Sequence, residues 1–380
     1  MNFITRGLII GVLGIGVGST IGQVKSSKET DVARWTDDIA PLVEAIRQEY
    51  KLPAMAAAVV RSDGIVSAVA TGVKRADRPE TVDVNSRFHV GSVAKSMTAT
   101  MIASLVEHGI VKWSLTPQEA FPKIAAQIHP SLRSITLEQL LTHRAGIQPF
   151  EDDAEFEKLP QFKGSPRDMR RQFAEFLLRR GATSPVGEHI YSNAGYGLAG
   201  AMVESVTGKS WETLMRDYLF TPLGLRTAGF GWPARDHANE PWGHWARQSG
   251  FEPHSPKDKY IVHKIIAPAG DVYMSILDFA KYAQAHLAGL NGRGSVVSPE
   301  TFEKLHKPFG DYALGWNRQV INNLPASTHS GSAGTFYAGI LVYPKKNLAV
   351  VIFINAAGNG SDTARNKLFS QLLKKYKALE

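Results

Sequence analysis

Phe88-His89-Val90-Gly91-Ser92-Val93-Ala94-Lys95-Ser96-Met97-Thr98 reads as an extended or turn segment running into a helix. Gly91 stands at the entry and Ser92 at the first helical position. Met101, Ile102 and Leu105 continue the helical spacing to a stop at Gly109. A serine at such a start lies among free backbone N–H groups, at the positive end of the helix dipole. Lys95 falls on the same helical face, within reach of the serine hydroxyl. A seryl hydroxyl is a poor nucleophile until a base takes its proton. A lysine amine is such a base only when burial or nearby cations lower its pKa towards neutrality. Met97, Met101 and Ile102 supply an apolar setting for that, and Ser92-x-x-Lys95 is the only Ser-x-x-Lys in the chain.

A chain of 380 residues with 43% hydrophobic content buries a large core, expected as two lobes or subdomains. It has no cysteine, which excludes disulfides and any Cys-based metal or thiol site. The formal charge of +8 implies a mildly basic surface with small clusters at Arg170-Arg171, Arg179-Arg180 and Lys374-Lys375. No aromatic-interleaved basic stripe accompanies them, which argues against nucleic-acid binding. His237, His244, His254 and His263 are irregularly spaced and form no His-Glu-x-x-His, so neither a metal nor a cofactor is expected. At the N-terminus, Arg6 precedes an apolar, glycine-laden run, Gly7 to Gly22, and a polar segment, Gln23 to Asp31. Residues 1–22 have the layout of a signal peptide with a cleavage site near Thr20-Ile21-Gly22. The run is short for a membrane span. The expectation is an exported protein, periplasmic or secreted, with no stable membrane span after cleavage; an uncleaved anchor is the alternative. Gly14-Ile15-Gly16-Val17-Gly18 resembles a nucleotide loop but follows no strand and opens no soluble helix, so it is rejected.

Outward from the Ser92 helix, Thr36 to Tyr50 is an amphipathic helix capped by Thr36 or Asp37, with Ile39, Leu42, Val43 and Ile46 on one face. Ala54 to Val60 and Ile65 to Ala70 are strands about the turn Ser62-Asp63-Gly64. Val111 to Lys264 reads as helices joined by long polar loops: Thr136 to His143, Asp168 to Arg179, Ala194 to Thr207 and Ser210 to Tyr218. Gly229 to Pro256, with Trp232, Trp242 and Trp245, shows little periodicity, and a loop this long is a candidate lid or wall. Asp278 to Leu287 and Ser298 to Leu305 return to helix. Phe336 to Val342 and Ala349 to Ile354 form a strand–turn–strand, and Ser361 to Leu379 a final helix. The two ends are thus expected to build one α/β domain, residues 30–110 and 265–380, around a helical insert, residues 111–264.

A serine–lysine site also needs a proton shuttle for the leaving group and a holder for the substrate. Tyr191-Ser192-Asn193 is the only Tyr-x-Asn in the chain. A phenol beside a lysine ammonium can have a depressed pKa and act as base and then acid, and an asparagine amide can bind a carbonyl. His329-Ser330-Gly331-Ser332, just before the Phe336 strand, offers a glycine that lets a ligand approach the backbone. The Ser332 N–H can pair with that of Ser92 as an oxyanion hole. His143 is expected only to pack or cap. No Gly-x-Ser-x-Gly elbow occurs, which argues against an α/β-hydrolase triad.

Ser92-x-x-Lys95, Tyr191-x-Asn193 and His329-x-Gly331 together resemble the three motifs of the penicillin-recognising serine hydrolases, in particular the group of class C β-lactamases, D-Ala-D-Ala carboxypeptidases and related esterases. Leu140 to Gly146, Pro268 to Tyr273 and Tyr312 to Trp316 extend the likeness. The resemblance implies an α/β (α+β) fold, an antiparallel sheet flanked by helices plus an inserted, mostly helical domain. It makes Ser92 the acylated nucleophile, Lys95 its proton partner, Tyr191 the acid–base group, and Asn193, His329, Ser330 and Ser332 substrate-binding residues, with Asp271 and Tyr273 lining the cleft. The substrate would be a small ester, amide or D-amino-acid peptide; the oligomeric state stays open. Class C β-lactamases carry lysine where this chain has His329, so efficient penicillin hydrolysis is not the expectation. An imidazole there should favour anionic substrates only as pH falls through about 6.5. A non-catalytic penicillin-binding or sensor domain, or a true class C-like β-lactamase, is the alternative.

Overall fold

Ala54–Arg61 (β1) and Leu348–Ile354 (β10) are apolar at nearly every position, the pattern of strands covered on both faces. Alternation survives as a choice between two cores. Ala54, Ala56, Ala58, Val351 and Phe353 face one, and Met55, Ala57, Val59, Ile352 and Ile354 face the other. The computed structural model describes residues 37–258, 262–358 and 360–379. The other strands are Gly64–Gly72 (β2), Arg87–His89 (β3), His244–Arg247 (β4), Gly250–Pro253 (β5), Tyr273–Ser275 (β6), Asn317–Ile321 (β7), Leu324–Ser332 (β8) and Tyr337–Tyr343 (β9). The main sheet runs β2-β1-β10-β9-β8-β7 and is antiparallel throughout.

The helices Ala40–Glu49 and Ser361–Lys375 cover one face, bringing Val43, Ile46, Leu368 and Leu372 into the core with Val350 and Ile352. On the first of them Asp38 Oδ1, rather than the expected Asp37, accepts from the Ala40 N–H at 2.8 Å. The opposite face packs on Ile276–Leu290 and Ala94–Glu107. Phe353 is stacked between Phe88 (5.4 Å) and Phe279 (4.7 Å), which ties the sheet to the strand that leads into Ser92. Ala94 to Leu105 are all buried, so this is a central helix with no solvent face. Its polar residues are satisfied one by one: Ser96 Oγ donates to Val93 O, Thr98 Oγ1 to Pro268 O and Thr100 Oγ1 to Ser96 O.

Three stretches differ from their reading in the sequence. His329-Ser330-Gly331-Ser332, given no element in the sequence, is strand, because β8 pairs Ser327 to Ser332 with β9, Ser332 opposite Tyr337. Gly229 to Pro256 contains the β4–β5 hairpin. Hydrogen bonds from Trp242 N to Lys74 O and from His244 N to Thr335 O pin it as a wall. Arg170, counted among surface charges, is fully buried, clamped by Glu204 (2.6 Å) and Glu212 (2.7 Å). The expected signal peptide lies outside the described residues. Among the described residues no helix is long and apolar enough to cross a membrane.

Candidate active site

The approach to Ser92 is held by local pairing. β3 sets His89 opposite Tyr273, and Val90 N–H donates to Val272 O at 2.9 Å. A 3-10 turn, Gly91–Val93, then precedes the α-helix. The Gly91 N–H donates to His89 Nδ1 at 3.1 Å, and behind it Asp271, 1% exposed, faces His89 Nε2 at 3.5 Å. Burial alone would raise the Asp271 carboxyl; His89 and Lys264 outweigh that and hold it below its usual range. Asp271, expected to line the cleft, therefore buttresses the Ser92 turn from beneath. Tyr273 is also buried and reaches His237 Nε2 at 3.2 Å.

Lys95 is wholly buried. Its Nζ donates to Asn193 Oδ1 (2.7 Å) and Ala269 O (2.9 Å) and stands 3.1 Å from Ser92 Oγ. Burial pushes the amine down to about 7, against the pull of the Glu151 carboxylate. Asn193 opens the helix Asn193–Thr207, with Ser192 as its cap. The Asn193 Nδ2 donates to Phe150 O at 2.8 Å, which aims Oδ1 at the lysine. Two of the three directions around Nζ thus meet groups that only accept. The third meets a hydroxyl that can also give its proton to a neutral amine.

The Tyr191 phenol lies near Ser92, with Lys95 Nζ 4.7 Å from its ring centroid. Its acidity differs from expectation. Burial pushes the phenol up, outweighing the Ser92 contact, so the group is neutral at physiological pH. The expected depression needs a fixed ammonium nearby, and Lys95 is itself held close to neutrality.

Ser332 meets Ser92 through glycines. A Cβ on Gly331 would stand 2.1 Å from Val90 O and 2.5 Å from Ser92 N; one on Gly91, at φ +53°, would stand 2.5 Å from Ser332 N. Only glycine at both crossings lets the two backbone N–H groups come together. Two other residues of this strand do not serve as expected. His329 is 3% exposed and spends both ring nitrogens inside the protein: Nδ1–H donates to Ser330 O (2.7 Å), and Nε2 accepts from Tyr312 Oη (3.1 Å). Burial and the nearby Lys95 push the imidazole down to about 3, so it does not charge near pH 6.5. Ser330, one residue on, falls on the opposite face of the sheet, with Thr328, Arg365 and Phe369.

The sequence reading gave no role to Tyr312, which holds His329, or to Glu151, beside Lys95 and Tyr191. Tyr312 lies within a stretch already matched to the family; Glu151 sits in an acidic run, residues 151–157, with no motif to mark it.

A family model described as "Beta-lactamase" matches residues 39–373. "Penicillin-binding protein 4" of Amycolatopsis lactamdurans is 26% identical over 366 residues, 90% of either chain. "Unguisins hydrolase ungD'" of Aspergillus campestris is 27% identical over 337 residues, 84% of this chain and 61% of that one, so the chain spans about three-fifths of that relative. Among solved structures, the octameric penicillin-binding protein homologue from Pyrococcus abyssi shares the fold, with a TM-score of 0.73 at 23% identity, covering 91% of this chain and 78% of its own.

Proposed function

The chain belongs to the beta-lactamase family of serine hydrolases, and from that membership we propose that it is an exported hydrolase working through an acyl-enzyme on an ester, amide or D-amino-acid peptide bond. The observation that carries this is the buried Lys95 amine, 3.1 Å from Ser92 Oγ and held near neutrality. Ser92 Oγ attacks the substrate carbonyl carbon and its proton passes to Lys95 Nζ, whose other two directions are occupied. Negative charge gathers on the carbonyl oxygen, where the N–H groups of Ser92 and Ser332 receive it. When the bond to the leaving group breaks, the neutral phenol of Tyr191 protonates that group, and the Lys95 ammonium resupplies Tyr191. Water then repeats the attack on the acyl-enzyme with the proton transfers reversed. Asn193 holds Lys95 with Oδ1 and keeps one amide hydrogen for the substrate.

His329 supplies no cation to a substrate carboxylate. Neutral esters and amides are therefore the favoured substrates, and carboxylate-bearing penicillins the disfavoured ones. Export rests on the signal-peptide pattern of residues 1–22.

Intact-protein mass spectrometry after incubation with a fluorophosphonate, a penicillin and a p-nitrophenyl ester tests the assignment. The wild type should gain one adduct and turn over the ester, and Ser92→Ala should do neither while keeping its fold. Ester turnover retained in Ser92→Ala would place the nucleophile elsewhere. A stable penicillin adduct without ester turnover would favour the penicillin-binding reading.

A further inference from the structure

His143 adopts the left-handed conformation, φ +59°, just past the short helix Leu137–Leu141. Non-glycine residues are uncommon there. A turn alone would be met more cheaply by glycine, so the imidazole needs its own explanation. Three contacts provide one, and all converge on Tyr191. The Ile190 N–H donates to the His143 carbonyl at 2.9 Å, and the Ser192 N–H donates to His143 Nδ1 at 3.0 Å. Between those bonds the two rings pack together, with centroids 4.4 Å apart and planes tilted by 42°. The residue before Tyr191 and the residue after it are therefore both tied to one histidine, and the phenol ring lies against that histidine's side chain.

The grip is itself anchored. Tyr196 Oη donates to Leu141 O at 2.8 Å, and the Tyr196 and Tyr312 rings lie 5.3 and 4.7 Å from the His143 ring. Because Nδ1 accepts a hydrogen bond, the neutral ring carries its proton on Nε2. That atom is buried without a hydrogen-bond partner. An orphaned donor is a cost, and it is borne at one end of a ring whose other end orients the Tyr191 segment.

We propose that His143 is the positioning residue of Tyr191, clamping the chain on both sides of it so that the phenol stays at Ser92. This rests on the reading of Ser92 and Tyr191 as nucleophile and proton donor. The clamp acts on catalysis by placing the Tyr191 phenol, and no hydrogen bond joins the His143 side chain to Ser92.

The experiment is a mutant cycle on the full chain, read as the rate of fluorophosphonate labelling at Ser92 and as kcat and KM for a p-nitrophenyl ester. His143→Gly relieves the backbone strain and removes the ring. It should lower labelling rate and kcat by about 10²-fold, the effect of displacing a reacting group by an ångström, with KM little changed. His143→Asn tolerates the left-handed backbone and sets its amide oxygen the same number of bonds from Cα as Nδ1, so it should recover most of the loss. In a Tyr191→Phe background His143→Gly should cost little more, because no phenol remains to be placed. If the glycine variant fails to fold, His143→Gln, whose acceptor stands one bond further out, replaces it and should lose what asparagine retains. Unchanged rates in the folded variants, or losses that multiply fully with Tyr191→Phe, would overturn the proposal while leaving the functional reading intact. A wild type that takes no adduct at Ser92 would overturn the functional reading, and the clamp with it.

Discussion

Lys95 combines full burial with two fixed acceptors, and the consequence is a pH profile. Below about pH 7 the amine is protonated and cannot take the serine proton; above it the amine is free. The acylation rate should therefore rise with pH through about 7 and level off beyond it. Lys95→Arg, whose guanidinium does not deprotonate, should lose about two to four orders of magnitude. Stopped-flow acylation from a p-nitrophenyl ester measures both; a profile flat through neutrality removes Lys95 from the role of base. His329 leads to a different expectation from the one its side-chain type suggests. With its imidazole held down to about 3 and Nε2 bound to Tyr312, the rate ratio of anionic to neutral substrates should stay flat from about pH 5 to 8, the range in which a free imidazole titrates. A ratio rising as pH falls through that range would mean that the ring does meet the substrate. The difference between the two residues marks what a sequence can tell. Ser92 and Lys95 are neighbours on one helical turn, so their pairing is legible from spacing. The state of His329 depends on Tyr312, which the turn ahead of β7 brings to it, and spacing says nothing of that.

Among the elements, β8 shows why one strand of the site was not legible as a strand. Leu-Pro-Ala-Ser-Thr-His-Ser-Gly-Ser, residues 324–332, has none of the continuous apolar character that marked β1, β9 and β10. It is a strand because β7 and β9 pair with it on both sides, and its glycine is required where the Ser92 turn crosses it. Gly331→Ala tests that crossing. The added methyl group would stand 2.1 Å from Val90 O, so strand and turn must part. Overpacking of this kind costs about 1–3 kcal/mol, and the separation of the Ser92 and Ser332 N–H groups should cost about 10²–10³-fold in acylation. Urea unfolding and fluorophosphonate labelling read the two effects separately; normal labelling in the variant would show that Ser332 is not the second donor. The central strands and flanking helices were legible because their apolar runs are long.

The whole molecule inherits an acid sensitivity from its buried histidines. Burial holds His244 down to about 4, His306 and His329 to about 3, and His143 and His286 well below the ordinary range. Between about pH 6.5 and 4 the unfolded chain protonates these rings and the folded chain does not. Stability therefore falls as pH falls, by up to about 1.4 kcal/mol per pH unit for each ring. The urea midpoint should drop steeply from pH 7 to 5, and an unchanged midpoint would mean that these rings are not buried neutral. At the same scale, the pairing of the two chain ends was legible from helix and hairpin at either terminus. The Arg170–Glu204–Glu212 cluster was not, since nothing local separates a buried arginine from an exposed one. Breaking that cluster with Arg170→Met should cost about 3–5 kcal/mol by stranding two carboxylates, measured by the same unfolding curves. The crossing of Gly91 and Gly331 also has a consequence in time. Ser92 and Lys95 leave the ribosome early and Ser332 late, so a nascent or truncated chain carries its serine without the second N–H donor. On the proposed reading, acylation at Ser92 therefore waits until β8, β9 and β10 have joined β1 in the sheet.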